Sequence, residues 1–257
     1  MCEDEGIINN GVYGSRQNRR SHDPVLADIT QVDLSLVTFT FRAKFNNDAT
    51  ACFDRILPHI ATVCLCSFGI PKKLTSILGL MLQYAKYSIK TSLGTSETTY
   101  SYSEEDLVFG SGQGSSASTN ACSKMCSDAF YFMDKQGHGC SYSTPDRFYS
   151  AVLGMLGFVD DNNASANGAT WEDGFQVIAR VAHDAQLWND ILTATGGALN
   201  LDKCFFQVLE YVFSIEGRTT VAPRNPAHSI TVLGRVTTST TIIKSIYPYT
   251  PYNSLGT

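Results

Sequence analysis

The stretch Met155-Leu156-Gly157-Phe158-Val159-Asp160-Asp161-Asn162-Asn163 constrains the fold more than any other part of the chain, because an apolar run ends abruptly in two adjacent acids. A run of this length, rich in Leu, Val and Phe, predicts a buried strand. The Asp-Asp-Asn-Asn cluster predicts a tight turn, with the acids at a hairpin tip. Two carboxylates side by side repel by roughly 1 kcal/mol in water and by about 4 kcal/mol at an effective dielectric near 20. A site that keeps both ionised therefore holds a cation, and hard oxygen ligands suit magnesium. With 16 Asp in 257 residues, chance alone yields about one Asp-Asp pair, so the pair acquires meaning only in company.

The chain is long enough to bury a sizeable core as one domain, or one domain with an appendage. A net charge of -5 and a pI near 5.5 do not advertise nucleic-acid binding. Basic residues are nevertheless clustered, at Arg16, Arg19 and Arg20, at Lys72 and Lys73, and at Lys86 and Lys90. The eight Cys form no C-x-x-C pair and no zinc-like spacing, which predicts reduced thiols in an intracellular protein of nucleus or cytoplasm. No apolar segment follows the acidic N-terminus, and the run Ala151 to Val159 is too short to span a bilayer, so neither secretion nor a membrane role is expected.

Along the chain, Met1 to Asp23 is polar and resembles a tail. From Pro24 a helix is expected, with Val25, Leu26, Ile29 and Val32 on its packed side, and Val37 to Phe45 alternates like a half-buried strand. Asp54 is placed as a cap for the next helix, which packs Ile60, Val63, Cys64 and Phe68 before Gly69 stops it. Pro71 opens another, whose core face carries Leu74, Ile77, Leu78, Met81, Leu82 and Ala85. Tyr87 to Tyr102 around Gly94 signals a hairpin. The glycine loop Gly110 to Ser116 fits neither a Walker A loop nor G-x-G-x-x-G, and precedes a helix over 116–135. Thr170 to Asp173 resembles a capping box ahead of a long helix that packs Phe175, Ile178, Ala182, Ala185, Trp188 and Leu192 and ends at Gly196-Gly197. Cys204 to Phe213 is strand-like, and three further β-like runs follow from Thr219. None of the five His stands beside a plausible catalytic partner.

Two acidic points thus stand at strand ends, Asp48 and the pair Asp160-Asp161, and together they could share two metals for phosphoryl transfer. The blocks around them resemble a known family. Asn47-Asp48-Ala49-Thr50-Ala51-Cys52-Phe53-Asp54-Arg55-Ile56 resembles motif A of reverse transcriptases, Gly112-Gln113-Gly114-Ser115 motif B, and Phe158-Val159-Asp160-Asp161 motif C. Gly196 to Lys203 resembles motif D, and Tyr252-Asn253-Ser254-Leu255-Gly256 the Leu-Gly turn of a primer-grip hairpin. Gly14-Ser15-Arg16-Gln17-Asn18-Arg19-Arg20-Ser21 is similar to the arginine block before the palm of non-LTR, LINE-type retrotransposon enzymes.

The resemblance implies an α+β fold, an antiparallel ferredoxin-like palm sheet with helices on one face and the acids on the other. It implies an RNA-directed DNA polymerase acting on an RNA template, a DNA primer and dNTPs. Asp48 and Asp160 would bind two Mg2+ ions with Asp161 assisting, and Lys203 would serve the leaving pyrophosphate. Phe53 would exclude a 2′-hydroxyl, Gln113 and Gly114 would admit the template base and nucleotide, and Leu255 and Gly256 would hold the primer. Asp54 is assigned to structure. The family's fingers and thumb have no counterpart here, so the chain divides into a fingers remnant and lead-in (1–35), a palm (36–215) and a β-rich tail (216–257). Alternatives remain open: an RNA-dependent RNA polymerase palm, which usually carries Gly before the Asp pair, or a non-catalytic retroelement fragment with weak nucleic-acid binding. Oligomeric state is not legible.

Overall fold

The computed structural model describes residues 8–50, 52–103, 110, 116–144, 146–158, 161–169, 172–213, 215, 219–234 and 239–246. Helix α1 (His22–Thr38) leads into strand β1 (Arg42–Asp48), followed by the single turn α2 (Cys52–Arg55) and helices α3 (Pro58–Ser67) and α4 (Lys72–Gln83). The small hairpin β2 (Lys90–Thr91) and β3 (Gly94–Thr95) precedes helix α5 (Ser116–Gln136). Two more hairpins follow, β4 (Cys140–Ser143) with β5 (Ser150–Leu153), and β6 (Met155–Phe158) with β7 (Asp161–Asn167). Helix α6 (Gly174–Ala194) then leads to β8 (Phe205–Leu209), β9 (Tyr211–Phe213), β10 (Thr219–Val221), β11 (Ile230–Leu233) and β12 (Thr240–Ser245).

Six of these strands form one sheet in the order β11-β12-β8-β1-β7-β6. The central four are antiparallel, and with α5 and α6 they follow the β-α-β-β-α-β succession of a ferredoxin-like unit. The sheet as a whole is mixed rather than antiparallel, because β12 pairs with β8 in parallel.

Alternation along β1 explains the layering. Ala43 and Phe45 are fully buried on one face, where they meet Trp188, Val177 and Val181 of α6 and Phe130 of α5 in a single core. The Phe130 and Trp188 rings meet edge to face at 5.7 Å. Gly157 of β6 shares this face, where an added Cβ would lie 2.7 Å from the Phe130 ring. Each buried aromatic or aliphatic side chain stabilises the core by about 1.5–3 kcal/mol.

The opposite face of β1 carries Arg42, Lys44, Asn46 and Asp48, and α1 covers its far end. Arg42 donates to Asp28 at 2.5 Å, Gln31 at 2.7 Å and Ser165 at 2.9 Å, while Lys44 donates to Asp28 at 2.7 Å. A buried guanidinium needs such partners, so α1 turns its polar side inward. The face expected to pack is instead exposed, Val25 by 57%, Leu26 by 64% and Ile29 by 51%, with Gln31 and Ser35 buried. The alternation from Val37 also gives way to helix, which runs to Thr38 and stops at Phe39 in a left-handed conformation, φ 53°.

Other expectations shift in the same way. Helix α4 forms where Pro71 places it, yet Leu74, Ile77 and Met81 are exposed and Thr75 is its buried residue. The helix after Asp54 begins at Pro58 with Leu57 at the cap position, so Asp54 lies within α2 and does not cap it. Gly69 and Gly196 end their helices at φ 85° and 90°. The capping box is built three residues later than expected: Asp173 accepts from Gln176 N, and the Gln176 side chain from Asp173 N. The segment expected as a tail joins the structure, since Val12 bridges to Gly157 and Asn9 N donates to Ser127 at 2.8 Å. Cys64, Cys66, Cys122, Cys126, Cys140 and Cys204 are free thiols. Among the described residues no helix is long and apolar enough to cross a membrane.

Candidate active site

The expected turn Asp160-Asp161-Asn162-Asn163 is strand from Asp161 onward, because pairing with β1 overrides the turn preference of Asn and Asp. Residues 159 and 160, and so the expected metal ligand Asp160, lie outside the described residues. Asp161 stands directly opposite Asp48 in the β1–β7 register, so the two side chains leave the same face with Cβ atoms about 5 Å apart. Asn46 and Asn163 form the next pair along this face, then Lys44 and Ser165.

The carrier of Lys203 is fastened to the end of β1. Asn200 N donates to Asp48 O at 2.8 Å, Thr50 N to Ala198 O at 2.8 Å, and Ala49 bridges to Leu199. The turn that follows, with Lys203 N on Asn200 O at 3.0 Å, brings Lys203 Nζ to 3.8 Å from Asp48 Oδ2. With side chains 65% and 35% exposed, this pair contributes little stability and leaves the carboxylate open to solvent. The neighbouring Cys204 thiol is pushed up to about 11, mainly by burial and against a hydrogen bond with the Asp48 backbone.

Behind Asp48, Asn47 points into the core and accepts from the Trp188 indole at 3.0 Å. On the acid-bearing face, Asn46 Nδ2 and Asn163 Oδ1 are buried without a hydrogen-bond partner among the described residues. A donor and an acceptor thus stand unused one pair below the carboxylates.

Of the other expected site residues, Phe53 lies in α2, its side chain outside the described set, as are Gln113, Gly114, Leu255 and Gly256 entirely. Gly110 donates its N–H to Ile56 O at 3.0 Å, just past the end of α2. The structure also joins three residues that the sequence left without a role: His138, His183 and Asp184 cluster where α5 exits against α6. The signal for it was Asp184, an acid among the apolar positions of α6 one turn before Trp188.

No protein-family profile and no curated protein matches the chain. Among solved structures it is similar to apo telomerase from Candida tropicalis truncated from its C-terminal domain, at 12% identity and TM-score 0.47, covering 90% of this chain and 40% of that one. It is also similar to telomerase from Candida albicans in complex with a TWJ fragment of telomeric RNA, at 15% identity and TM-score 0.44, covering 85% and 32%. The chain therefore spans less than half the length of these proteins.

Proposed function

We propose that the chain is the palm of an RNA-directed DNA polymerase of the non-LTR retrotransposon kind, a nucleotidyltransferase that extends a primer 3′-hydroxyl with dNTPs. The observation that carries this reading is the register of Asp48 opposite Asp161 with Lys203 Nζ 3.8 Å from Asp48. The ordered motif resemblance and the ferredoxin-like strand order support it.

The donors suit magnesium, since both described acids offer hard carboxylate oxygens on an open sheet face. Two bound magnesium ions supply Lewis acidity for the attacking hydroxyl and neutralise charge on the leaving pyrophosphate. In this reading Asp48 and Asp160 would hold the cations, with Asp161 assisting. Lys203 hydrogen-bonds or protonates the departing pyrophosphate. Phe53 blocks a 2′-hydroxyl by bulk, Gln113 and Gly114 let template base and nucleotide approach the backbone, and Leu255 with Gly256 seats the primer. Fingers and thumb would come from outside this palm.

Extension of a DNA primer on an RNA template with magnesium tests the proposal. Wild-type protein should incorporate deoxynucleotides in preference to ribonucleotides, and Asp48→Asn should lose at least about a thousandfold in rate. Undiminished extension by Asp48→Asn, or none by folded wild type, would overturn it, the latter in favour of a non-catalytic retroelement fragment.

A further inference from the structure

We infer that His138, His183 and Asp184 form a binding site for one first-row transition dication, with zinc as its natural probe, where the end of α5 meets α6. The site is independent of the polymerase reading. His138 follows the end of α5, whereas His183 and Asp184 sit in the middle of α6. Asp184 Oδ1 lies 3.0 Å from His138 Nδ1 and 3.2 Å from His183 Nδ1, and the three ligand atoms fall within 4.8 Å of one another. The two imidazole rings stand edge to face, centroids 5.0 Å apart, with both Nδ1 atoms turned to the same carboxylate oxygen.

A tetrahedral ion with bonds of about 2.0–2.1 Å has ligand-to-ligand edges of about 3.3 Å. The two measured edges are within a few tenths of an ångström of that value and the third lies within 4.8 Å, so an ion enters once the exposed imidazoles rotate to shorten it. Two imidazoles and a carboxylate are the donor set of zinc, and two nitrogens speak against magnesium. The carboxylate is already oriented: the His138 backbone N–H donates to both Asp184 oxygens at 3.1 Å, which is the role outer hydrogen bonds play around metal ligands. Gly137 allows this close approach, since a Cβ there would lie 3.2 Å from Asp184 Oδ1 and 2.8 Å from Met133 O. Asp184 is 3% exposed, against 40% for His138 and 53% for His183, so the anion is fixed while the imidazoles open to solvent and leave the fourth position to water.

Such an ion would clip the exit of α5 to α6. Trp188, which holds Asn47 beside Asp48, lies one turn farther along α6. Occupancy therefore stiffens the two helices behind β1 and β7 without entering the carboxylate site.

Isothermal titration of metal-stripped full chain with Zn2+, with Co2+ absorption as a second readout, tests the inference. One zinc should bind, cobalt should show the visible bands of a four-coordinate ion, and a hundredfold excess over Kd should raise Tm by about 5 °C or more. His138→Ala and His183→Ala alter exposed side chains and keep the fold, and each should weaken zinc at least about tenfold. Asp48→Asn should leave zinc affinity unchanged. Zinc binding that survives the double His variant, which would place the metal on cysteines or other donors, overturns the inference. So does failure of folded wild type to bind.

Discussion

Asp48 of β1 and Asp161 of β7 are direct cross-strand partners at the end of the sheet, a placement that puts two carboxylates on one face about 5 Å apart. Like charges in this position cost stability, and Lys203, 3.8 Å from Asp48, is exposed and offsets little of it. Under the proposed reading, a divalent cation held by these acids would offset that cost.

Asp48→Asn should therefore abolish primer extension while changing urea-derived stability by no more than about 0.5 kcal/mol. A loss of several kcal/mol would mean that Asp48 is a structural residue.

Trp188→Phe keeps the ring in the core but removes the indole donor to Asn47, whose Nδ2 already lacks a partner among the described residues. Leaving the buried Asn47 oxygen unsatisfied should cost about 1–3 kcal/mol. Because Asn47 adjoins Asp48, extension should fall as well, and the Asn47→Leu/Trp188→Phe double variant should recover stability but not activity. Chemical denaturation alongside extension assays reads both.

The buried group around Arg42 sets the acid limb of stability. Burial pushes the Asp28 carboxyl up, but Lys44 and Arg42 together pull it below its ordinary value. A folded value below the unfolded one, about 3.9, gives stability that is fully present above about pH 4 and is lost as the pH falls through the folded value. Asp28→Asn, which strips buried Arg42 of its carboxylate, should destabilise by about 3–5 kcal/mol at pH 7. It should also flatten the acid limb, measured by thermal melts between pH 2 and pH 7. Equal slopes in wild type and variant would contradict this.

The Cys204 thiol, pushed up to about 11 by burial, carries only about one thiolate in a thousand at pH 8. Mass-mapped labelling with iodoacetamide at that pH should leave Cys204 unmodified in the folded chain and modify it fully in urea. Rapid native labelling would show that the turn after Lys203 opens.

Much of this architecture was legible in the sequence because local signals and tertiary packing agree. The helices α5 and α6, the strand ending at Asp48, the β6 strand and the three β-runs of the tail lie close to where periodicity and glycines place them. The readings that missed did so where buried polar groups decide. Apolar spacing in α1 pointed Val25 and Ile29 inward, but Arg42 drew in Asp28 and Gln31 instead. Asn162 and Asn163 look like turn residues and become strand because Asn47 and Asn46 pair with them. The pairing of Asp48 with Asp161, and of Asp184 with His138, depends on register and helix packing over separations of more than forty residues, which no local pattern encodes.

Electron paramagnetic resonance of Mn2+, a spectroscopic stand-in for magnesium, tests the central claim most directly, because it reads the carboxylate site without needing primer, template or the rest of a polymerase. Read in the His138→Ala/His183→Ala background, which removes the histidine site as a competitor for the ion, the otherwise wild-type chain should bind Mn2+, and Asp48→Asn and Asp161→Asn should each weaken it at least about tenfold. Equal Mn2+ affinity in that background with and without Asp48→Asn or Asp161→Asn would contradict a shared cation site on these two strands.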